Sequence, residues 1–280
     1  MIHAEGDGLP GLVIDVFNDI AVIQSHSTGM MKSVNEIAEA LTEVISISHI
    51  FHRDSETETN KILIGEKTIT NIHENGRQFN VDVESGQKTG FFIDQRENRN
   101  FITQYVKDKI VLDAFSYSGG FSVYALTAGA KHVDSVDSSA NALKLVEENI
   151  LLNNIDQAKQ QSHQSDVANF LEAHPQEHDL IILDPPAYAK SQSAKHKAVI
   201  GYKNLNAEAI YHIKPGGIIF TFSCSQHIDA ALFEHTIQSA AIEVGRSVRV
   251  FHHFSQPADH PVNIFHPEGE YLKGLGLFVE

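Results

Sequence analysis

Val111-Leu112-Asp113-Ala114-Phe115-Ser116-Tyr117-Ser118-Gly119-Gly120-Phe121 is the stretch that decides the fold. An apolar run ends in an acid, passes through small residues to two glycines, and opens into helix-like sequence. This order predicts a strand, a tight turn and a helix, the first unit of a nucleotide-binding α/β sheet. A dinucleotide site would carry G-x-G-x-x-G at this turn. Asp113 instead suits an ammonium group, which suggests S-adenosylmethionine as the ligand; an ordinary strand-turn-helix with no ligand is the alternative.

The composition indicates a globular protein outside the membrane. The chain has 280 residues, 42% of them hydrophobic and 20% charged, which allows one large domain or two smaller ones. No apolar run reaches the roughly 20 residues that span a bilayer, and residues 1–8 lack the features of a signal peptide. We therefore expect a cytoplasmic protein. The net charge of −15 restricts any nucleic-acid contact to a local surface.

Residues 1–85 read as a small α/β domain and residues 86–280 as a larger one. The first domain is expected to position the substrate. Its predicted elements are a hairpin (11–17 and 20–25), a helix (30–44), a strand (45–53) and a second hairpin (67–72 and 79–83).

From residue 110 onward, strands alternate with helices, which predicts a doubly wound parallel sheet. The predicted strands are 110–113, 132–137, 161–164, 180–184 and 217–222, and the main predicted helices are 140–152, 166–173 and 203–213. Two further strands, 247–254 and 271–279, have no helix between them and indicate a terminal antiparallel hairpin. The fold class is thus α/β, with a Rossmann-like sheet closer to a class I methyltransferase than to a dehydrogenase.

Acids after the next two strands suit the rest of such a cofactor. Asp137 ends the second strand, where a carboxylate accepts hydrogen bonds from ribose hydroxyls. Asp166 follows the third strand and could accept from an adenine amino group, with Val167 stacking on the ring. For both acids the alternative is capping the helix that follows, although Ser138 and Ser139 are also available to cap the first of these helices.

Phe92, Asp94 and Arg96 lie just before the predicted sheet, in the run Lys88–Arg96. As a lid, this segment would pack Phe92 on a flat ring while Asp94 and Arg96 hold polar groups. The alternative is a domain linker that ends in a helix start.

Asp184 and Cys224 are the candidate catalytic residues. Asp184 follows the buried run 180–183 and precedes Pro185 and Pro186, at the strand end where ligands bind in such sheets. Cys224, the only cysteine, follows the next strand, so both should emerge at one edge. A thiolate adding to C6 of a pyrimidine would activate C5 toward a methyl donor, and Asp184 could hold the base at N3. The alternative for Cys224 is a small buried apolar residue.

A basic cluster follows the Pro-Pro turn in this acidic chain. Lys190, Lys195, Lys197 and Lys203 form either a solvated loop or a rim that contacts the phosphates of an RNA. His252, His253, His260 and His266 lack metal-ligand spacing, so we predict no metal.

Several motifs together give the chain a resemblance to a known family. The runs 89–96, 112–121, 184–187 and 223–225, with 4–11 and 267–275, resemble the ribosomal RNA large subunit methyltransferase I type. Members of this type are class I enzymes that form 5-methylcytosine in 23S ribosomal RNA. They usually begin with an RNA-binding PUA domain, which we expect this chain to lack.

The resemblance implies S-adenosylmethionine as cofactor, 23S ribosomal RNA as partner and Cys224 as nucleophile. It implies cofactor contacts at Phe92, Asp94, Arg96, Asp113, Ser116, Gly119, Asp137, Asp166 and Asp184, and we expect Phe115, Tyr117, Ser138 and Val167 to line the same site. Many other RNA 5-methylcytosine enzymes carry a second cysteine in the Pro-Pro turn, where this chain has Pro185.

Three functions therefore remain open from the sequence. The first is methylation of cytosine C5 in ribosomal RNA. The second is methylation of a purine nitrogen or a small molecule, with Cys224 structural. The third is a cofactor-binding scaffold without catalysis. The sequence leaves the oligomeric state open, a homodimer being one option.

Overall fold

The computed structural model describes residues 1–54, 60–189 and 191–280. These residues divide into two compact units. The first unit is Met1–Arg96 with Pro257–Gly269, and the second unit is Glu97–Gln256 with Glu270–Glu280. The first unit thus extends eleven residues past the predicted boundary at 85 and takes in a segment from the tail. The domains 1–85 and 86–280 stay a prediction.

The first unit contains a five-stranded sheet and a separate hairpin. The order in the sheet is β1-β2-β3-β4-β5, antiparallel except for the parallel pair β3 and β4. Its elements are β1 (Ile2–His3), β2 (Leu12–Phe17), β3 (Ile20–Ser25), α1 (Thr28–Lys32), α2 (Val34–Val44), β4 (His49–Asp54), β5 (Lys61–Ile64), β6 (Ile69–Glu74) and β7 (Arg77–Asp82). Both predicted hairpins are confirmed, β2–β3 around Asn18 and β6–β7 around Asn75-Gly76. Asn18, Asn75 and Gly76 all have the positive φ that such tight turns require.

The predicted single helix 30–44 is wrong in one respect, because the structure has two helices that meet at Ser33. Ser33 has φ −95° and ψ 9°, outside helical geometry, and Ser27 caps α1 by accepting from Met30 N. The apolar spacing is right for α2, whose Val34, Ala38 and Leu41 are buried against the sheet. Strand β5 was not predicted, since it follows a polar run of which residues 55–59 lie outside the described part.

The second unit contains a seven-stranded sheet in the order β10-β9-β8-β11-β12-β14-β13. Only β14 runs against its neighbours, so the doubly wound sheet and the antiparallel tail are confirmed. Its elements are α3 (Arg96–Ile102), β8 (Ile110–Ala114), α4 (Gly120–Thr127), β9 (His132–Asp137), α5 (Ala140–Leu152), β10 (Gln160–Gln164), α6 (Val167–Ala173), β11 (Leu180–Leu183), α7 (Lys195–His212), β12 (Gly217–Ser223), α8 (Ala230–Val244), β13 (Val248–Ser255) and β14 (Lys273–Val279).

Chain order reverses around the central strand β8. The chain runs outward through β9 to β10 and then returns to β11 on the other side of β8. All of Leu180–Leu183 is buried, which explains the uninterrupted apolar run of β11. In open α/β sheets, ligands bind beyond the carboxyl ends of the strands at such a reversal. The turn after β8 and the loop after β11 therefore flank the candidate site.

None of the helices in the described part of the chain has the length and apolar character needed to cross a bilayer.

A half-buried carboxylate links β9 to β10 and to the segment before β11 in the second unit. Asp134 in β9 accepts from His163 Nε2 of β10 at 2.8 Å and from His178 Nε2, just before β11, at 3.0 Å. Burial opposes its ionisation, but the hydrogen bonds from His178 and His163 outweigh burial and lower the pKa of Asp134 to about 2. The charged carboxylate therefore stabilises the folded state above the unfolded-state pKa.

Asp134→Asn should lower the free energy of unfolding at pH 7 by about 2 kcal/mol. The reason is that a carboxyl group whose pKa is lower in the folded state than in the unfolded state stabilises the fold above about pH 4. The loss relative to wild type should shrink as pH falls from 4 toward 2, where wild-type Asp134 takes up its proton. Urea unfolding across this range measures it. Glu147→Gln, the same change at an exposed position of α5, is the control. Equal losses for the two variants at pH 7 would contradict this role.

Candidate active site

The turn after β8 has an unusual backbone. Phe115, Tyr117 and Gly119 have φ values of 62°, 46° and 75°, so the chain enters the left-handed region three times in five residues. For Phe and Tyr this costs about 1–3 kcal/mol each and is typical of ligand-binding segments. Gly119 N donates to Ser116 O at 2.7 Å, and Asn149 of α5 donates to Ser118 O at 2.8 Å. Helix α5 thus holds the turn in place.

Asp113, at the end of β8, is a carboxyl group with 1% exposure. Its Oδ2 accepts from Ser122 N at 2.9 Å and from Ser122 Oγ at 2.6 Å, in the first turns of α4. Burial raises the pKa of Asp113 to about 7, with the Ser122 bonds opposing this and the nearby Asp184 and Asp137 adding to it. A cation bound beside Asp113 would favour its charged form.

The residues of this turn fit an amino-acid and nucleoside ligand. Ser116 Oγ is buried and has no hydrogen-bond partner within the described part of the chain. A buried hydroxyl without a partner is costly unless a ligand supplies one. The Ser116 hydroxyl is thus a hydrogen-bond donor, and Asp113 is a carboxyl group, for the amino-acid part of a ligand that carries an ammonium group.

Asp137 accepts from Tyr117 N at 3.0 Å and from Ser139 N at 2.8 Å. The cap of α5 is Ser139, whose Oγ accepts from Ala142 N, so the capping alternative for Asp137 does not hold. Each Asp137 oxygen keeps a lone pair, and ribose binding stays a prediction. Ser138 is exposed, with its carbonyl accepting from Gln164.

Asp166 does cap its helix. Its Oδ1 accepts from Ala168 N at 2.9 Å and from Asn169 N at 3.2 Å. Val167 is buried in the apolar core of the second unit. The capping alternative is therefore realised, and contacts of Asp166 and Val167 with an adenine ring stay predictions.

Asp184 and Cys224 follow adjacent strands, because β11 and β12 pair in parallel with Leu183 opposite Thr221. Both residues are half-buried. The two loops are joined through Ser225 Oγ, which accepts from Ala189 N at 3.3 Å and lies 2.9 Å from the hydroxyl of Tyr202. The expected juxtaposition of the two strand ends is present.

Tyr188, the aromatic residue of the Pro-Pro turn, packs against α7. Its ring centroid is 4.7 Å from that of Tyr202, and a Cβ at Gly201 would approach the Tyr188 ring to 3.0 Å. Burial raises the pKa of Tyr188 to about 12. Tyr188 thus serves the packing under the turn.

Lys273 is a site residue that sequence reasoning missed. It begins β14, is 5% exposed, and its Nζ donates to Ser225 O and Ile228 O in the segment after Cys224. The available signal was a single cation inside the apolar run Leu272–Val279. Lysine is almost never buried unless it is paired.

Phe92, Asp94 and Arg96 lie in the first unit. Lys88 Nζ forms an ion pair with the buried Asp94 and lies 4.5 Å from the centre of the Phe92 ring. Arg96 donates to Asp259 Oδ2 at 2.8 Å. Sequence reasoning missed both partners, Lys88 and Asp259, and cofactor contacts of this segment stay predictions.

The lysines of the expected rim differ in their surroundings. Lys190 lies outside the described residues. Lys195 and Lys197 are two residues apart on α7 and so point in nearly opposite directions. Lys203 pairs with Glu243 of α8 at 2.6 Å, which neutralises its charge. An RNA-binding role for these residues stays a prediction.

Comparisons with known proteins agree with this geometry. The profile of the S-adenosylmethionine-dependent methyltransferase family matches residues 30–261. The Ribosomal RNA large subunit methyltransferase I of Alteromonas mediterranea is 39% identical over 98% of this chain and 72% of that protein. The protein of the same name in Vibrio vulnificus strain YJ016 is 40% identical over 100% of this chain and 74% of that protein.

Solved structures share the fold. A methyltransferase crystallised with SAH has a TM-score of 0.90 at 24% identity, covering 99% of this chain and 74% of that one. A tRNA m1G37 methyltransferase from M. jannaschii has a TM-score of 0.68 at 23% identity, covering 95% and 71%.

Gly119→Ala should destabilise the protein by about 1–3 kcal/mol, through the positive φ and through a Cβ that would lie 3.0 Å from Val146 Cγ1. Gly245→Ala is the matched control, because Gly245 has φ +74° and nothing within 4 Å of an added Cβ. Urea unfolding should show the larger loss for Gly119→Ala, and the loss in Gly119→Ala/Val146→Ala should be smaller than the sum of the Gly119→Ala and Val146→Ala losses. Equal losses for the two single variants would mean that α5 does not constrain the turn.

Proposed function

Since this chain belongs to the S-adenosylmethionine-dependent methyltransferase family that includes the Ribosomal RNA large subunit methyltransferase I proteins, we propose that it forms 5-methylcytosine in large-subunit ribosomal RNA. The observation that carries this proposal is the position of Cys224. The only cysteine of the chain follows β12, beside the strand that ends at Asp184 and on the carboxyl edge that also carries the Asp113 turn.

When bound, S-adenosylmethionine supplies an electrophilic methyl group on its sulfonium. We assign its ammonium group to Asp113, whose buried carboxyl group has no cation of its own in the described residues, and its tail to Ser116. Asp137 is assigned to the ribose hydroxyls, with Asp166 and Val167 at the adenine ring. Phe92, Asp94 and Arg96 are assigned to the same cofactor on the resemblance alone.

Cys224 acts as the nucleophile in this proposal. Its thiolate adds to C6 of the cytosine, and the electron pair of the C5–C6 double bond makes C5 nucleophilic. In its protonated form the Asp184 carboxyl would donate to N3 while charge develops on the ring. After methyl transfer, a base removes the C5 proton, the double bond re-forms, and the thiolate leaves C6.

The main alternative is methylation of a purine nitrogen with Cys224 structural. Methyltransferases that act on exocyclic amines use an (Asp/Asn)-Pro-Pro-aromatic turn, and this chain has Ala187 where the aromatic residue would stand. Here the aromatic Tyr188 is packed on Tyr202, which favours the cytosine assignment. RNA binding by an acidic chain would use local basic groups such as Lys195 and Lys197.

Cys224→Ala should abolish formation of 5-methylcytosine while leaving cofactor binding within about twofold of wild type. Nucleoside analysis of ribosomal RNA after reaction with each protein measures the product. Wild type should also form a covalent adduct with RNA that contains 5-fluorocytosine, because fluorine cannot leave C5 as a proton does. Full 5-methylcytosine formation by Cys224→Ala would refute the nucleophile, and a methylated purine would support the alternative.

Binding of S-adenosylmethionine should tighten as pH rises from 6 to 7.5. Asp113 has a pKa of about 7, and only its charged form pairs with the ammonium group. Asp113→Asn should weaken binding by about 10- to 100-fold at pH 7.5 and remove this pH dependence. Calorimetry measures both, with the exposed Asp108→Asn as control. A pH-independent affinity in wild type would exclude Asp113 as the partner of the ammonium group.

A further inference from the structure

We propose that Lys273 is a positioning residue for Cys224, whose buried ammonium group fixes the segment 224–228 and favours the thiolate form of the cysteine. This inference rests on the proposed function, because it assigns a role in the nucleophile's chemistry. It concerns a residue that is 49 positions from Cys224 in the sequence and pairs with Ser223, the neighbour of Cys224, in the sheet.

The antiparallel pairing brings Lys273 to Cys224. In the ladder between β12 and β14, Lys273 lies opposite Ser223, the residue directly before the cysteine. Its Nζ donates to Ser225 O at 2.7 Å and to Ile228 O. The ammonium group therefore binds carbonyls of the segment that carries the thiol.

A buried ammonium group is costly. Desolvation costs several kcal/mol per ion, and two carbonyl acceptors compensate for only part of it. Within the described part of the chain, Lys273 makes no ion pair with a carboxylate, and the acidic groups that act on it are Cys224, Glu270 and Asp229. Burial lowers the pKa of Lys273 to about 8, and these three groups oppose that lowering. Of these three groups Cys224 opposes the lowering most, so an ionised thiol would add to the compensation that Glu270 and Asp229 give.

The coupling acts on both partners. If a thiolate at Cys224 stabilises the ammonium group of Lys273, the ammonium group stabilises the thiolate by the same free energy. Besides Lys273, the hydroxyl of Tyr202 also interacts with Cys224. Tyr202 is neutral at pH 7, whereas the ammonium group of Lys273 carries a positive charge. A more stable thiolate both forms more readily before attack and leaves C6 more readily afterwards.

The thiol can be titrated without an activity assay, because Cys224 is the only cysteine. The rate of iodoacetamide alkylation is measured against pH for the full chain of wild type, Lys273→Met and Lys273→Gln. We expect the midpoint to rise by about one pH unit in both variants, with about tenfold slower alkylation at pH 7. Lys214→Met is the matched control, since Lys214 pairs with Asp179 at the opposite edge of the sheet.

Two outcomes overturn the inference. The first is an unchanged midpoint in both variants. The second is a shift in Lys273→Met with a wild-type midpoint in Lys273→Gln, because Gln keeps a donor and removes the charge. If Lys273→Met fails to fold, as judged by circular dichroism, the alkylation midpoints of Lys273→Gln and Lys273→Arg are compared instead. A wild-type midpoint in Lys273→Arg with a raised midpoint in Lys273→Gln supports a role for the positive charge.

Methylation assays separate this inference from the proposed function. Lys273→Gln should lower kcat more at pH 7 than at pH 9 and leave KM for RNA unchanged. An inactive Cys224→Ala with an unshifted alkylation midpoint in the Lys273 variants would refute only the role of Lys273. An active Cys224→Ala would refute the proposed function, whatever the midpoint.

Discussion

The parallel pairing of β8 with β9 on one side and β11 on the other is the constraint from which the site follows. The chain adds β9 and β10 on one side of β8 and then places β11 on the other side. The loops that follow β8 and β11 therefore lead away from each other. The polar residues that follow these strands then gather at one edge with an apolar sheet beneath them. Asp113 and Asp184 owe their mutual influence to this pairing rather than to closeness in sequence.

The edge is electrostatically uneven. At the Asp113 turn, burial raises the pKa of Asp113 to about 7, and the nearby Asp184 and Asp137 add to this effect. At Cys224, two strands along, a buried ammonium group is held by backbone carbonyls. A positively charged ligand is favoured at the first position and an anionic sulfur at the second. In the proposed function, the ammonium group of S-adenosylmethionine takes the first position and the thiolate of Cys224 the second.

The sequence pattern over a few residues predicted the strands, turns and helices that are determined locally. The apolar run 180–183, the Asn75-Gly76 turn and the helix 140–152 lie where their residues indicate, since burial and turn geometry act over a few residues. The break at Ser33 was missed because the apolar spacing of the helix continues across it. The caps at Asp166 and Ser139 could be proposed but not ranked against ligand roles from sequence.

Lys273 and Ser225 show where such reasoning stops. Their importance comes from β14 lying between β12 and β13, a placement that periodicity does not encode. A lysine in an apolar run is consistent with a strand end in solvent, and only the ladder opposite Ser223 reveals its partners. Tertiary pairing decides its role.

The reversed direction of β14 also has a consequence for biosynthesis. Since β14 runs against its neighbours, it contributes its amino end to the edge where every parallel strand contributes its carboxyl end. It also follows β12 and β13 in the sequence and lies between them in the sheet. A nascent chain that has emerged only as far as Cys224 still lacks Lys273, which begins β14. In the role proposed for Lys273, its ammonium group reaches the segment after Cys224 only when β14 enters the sheet.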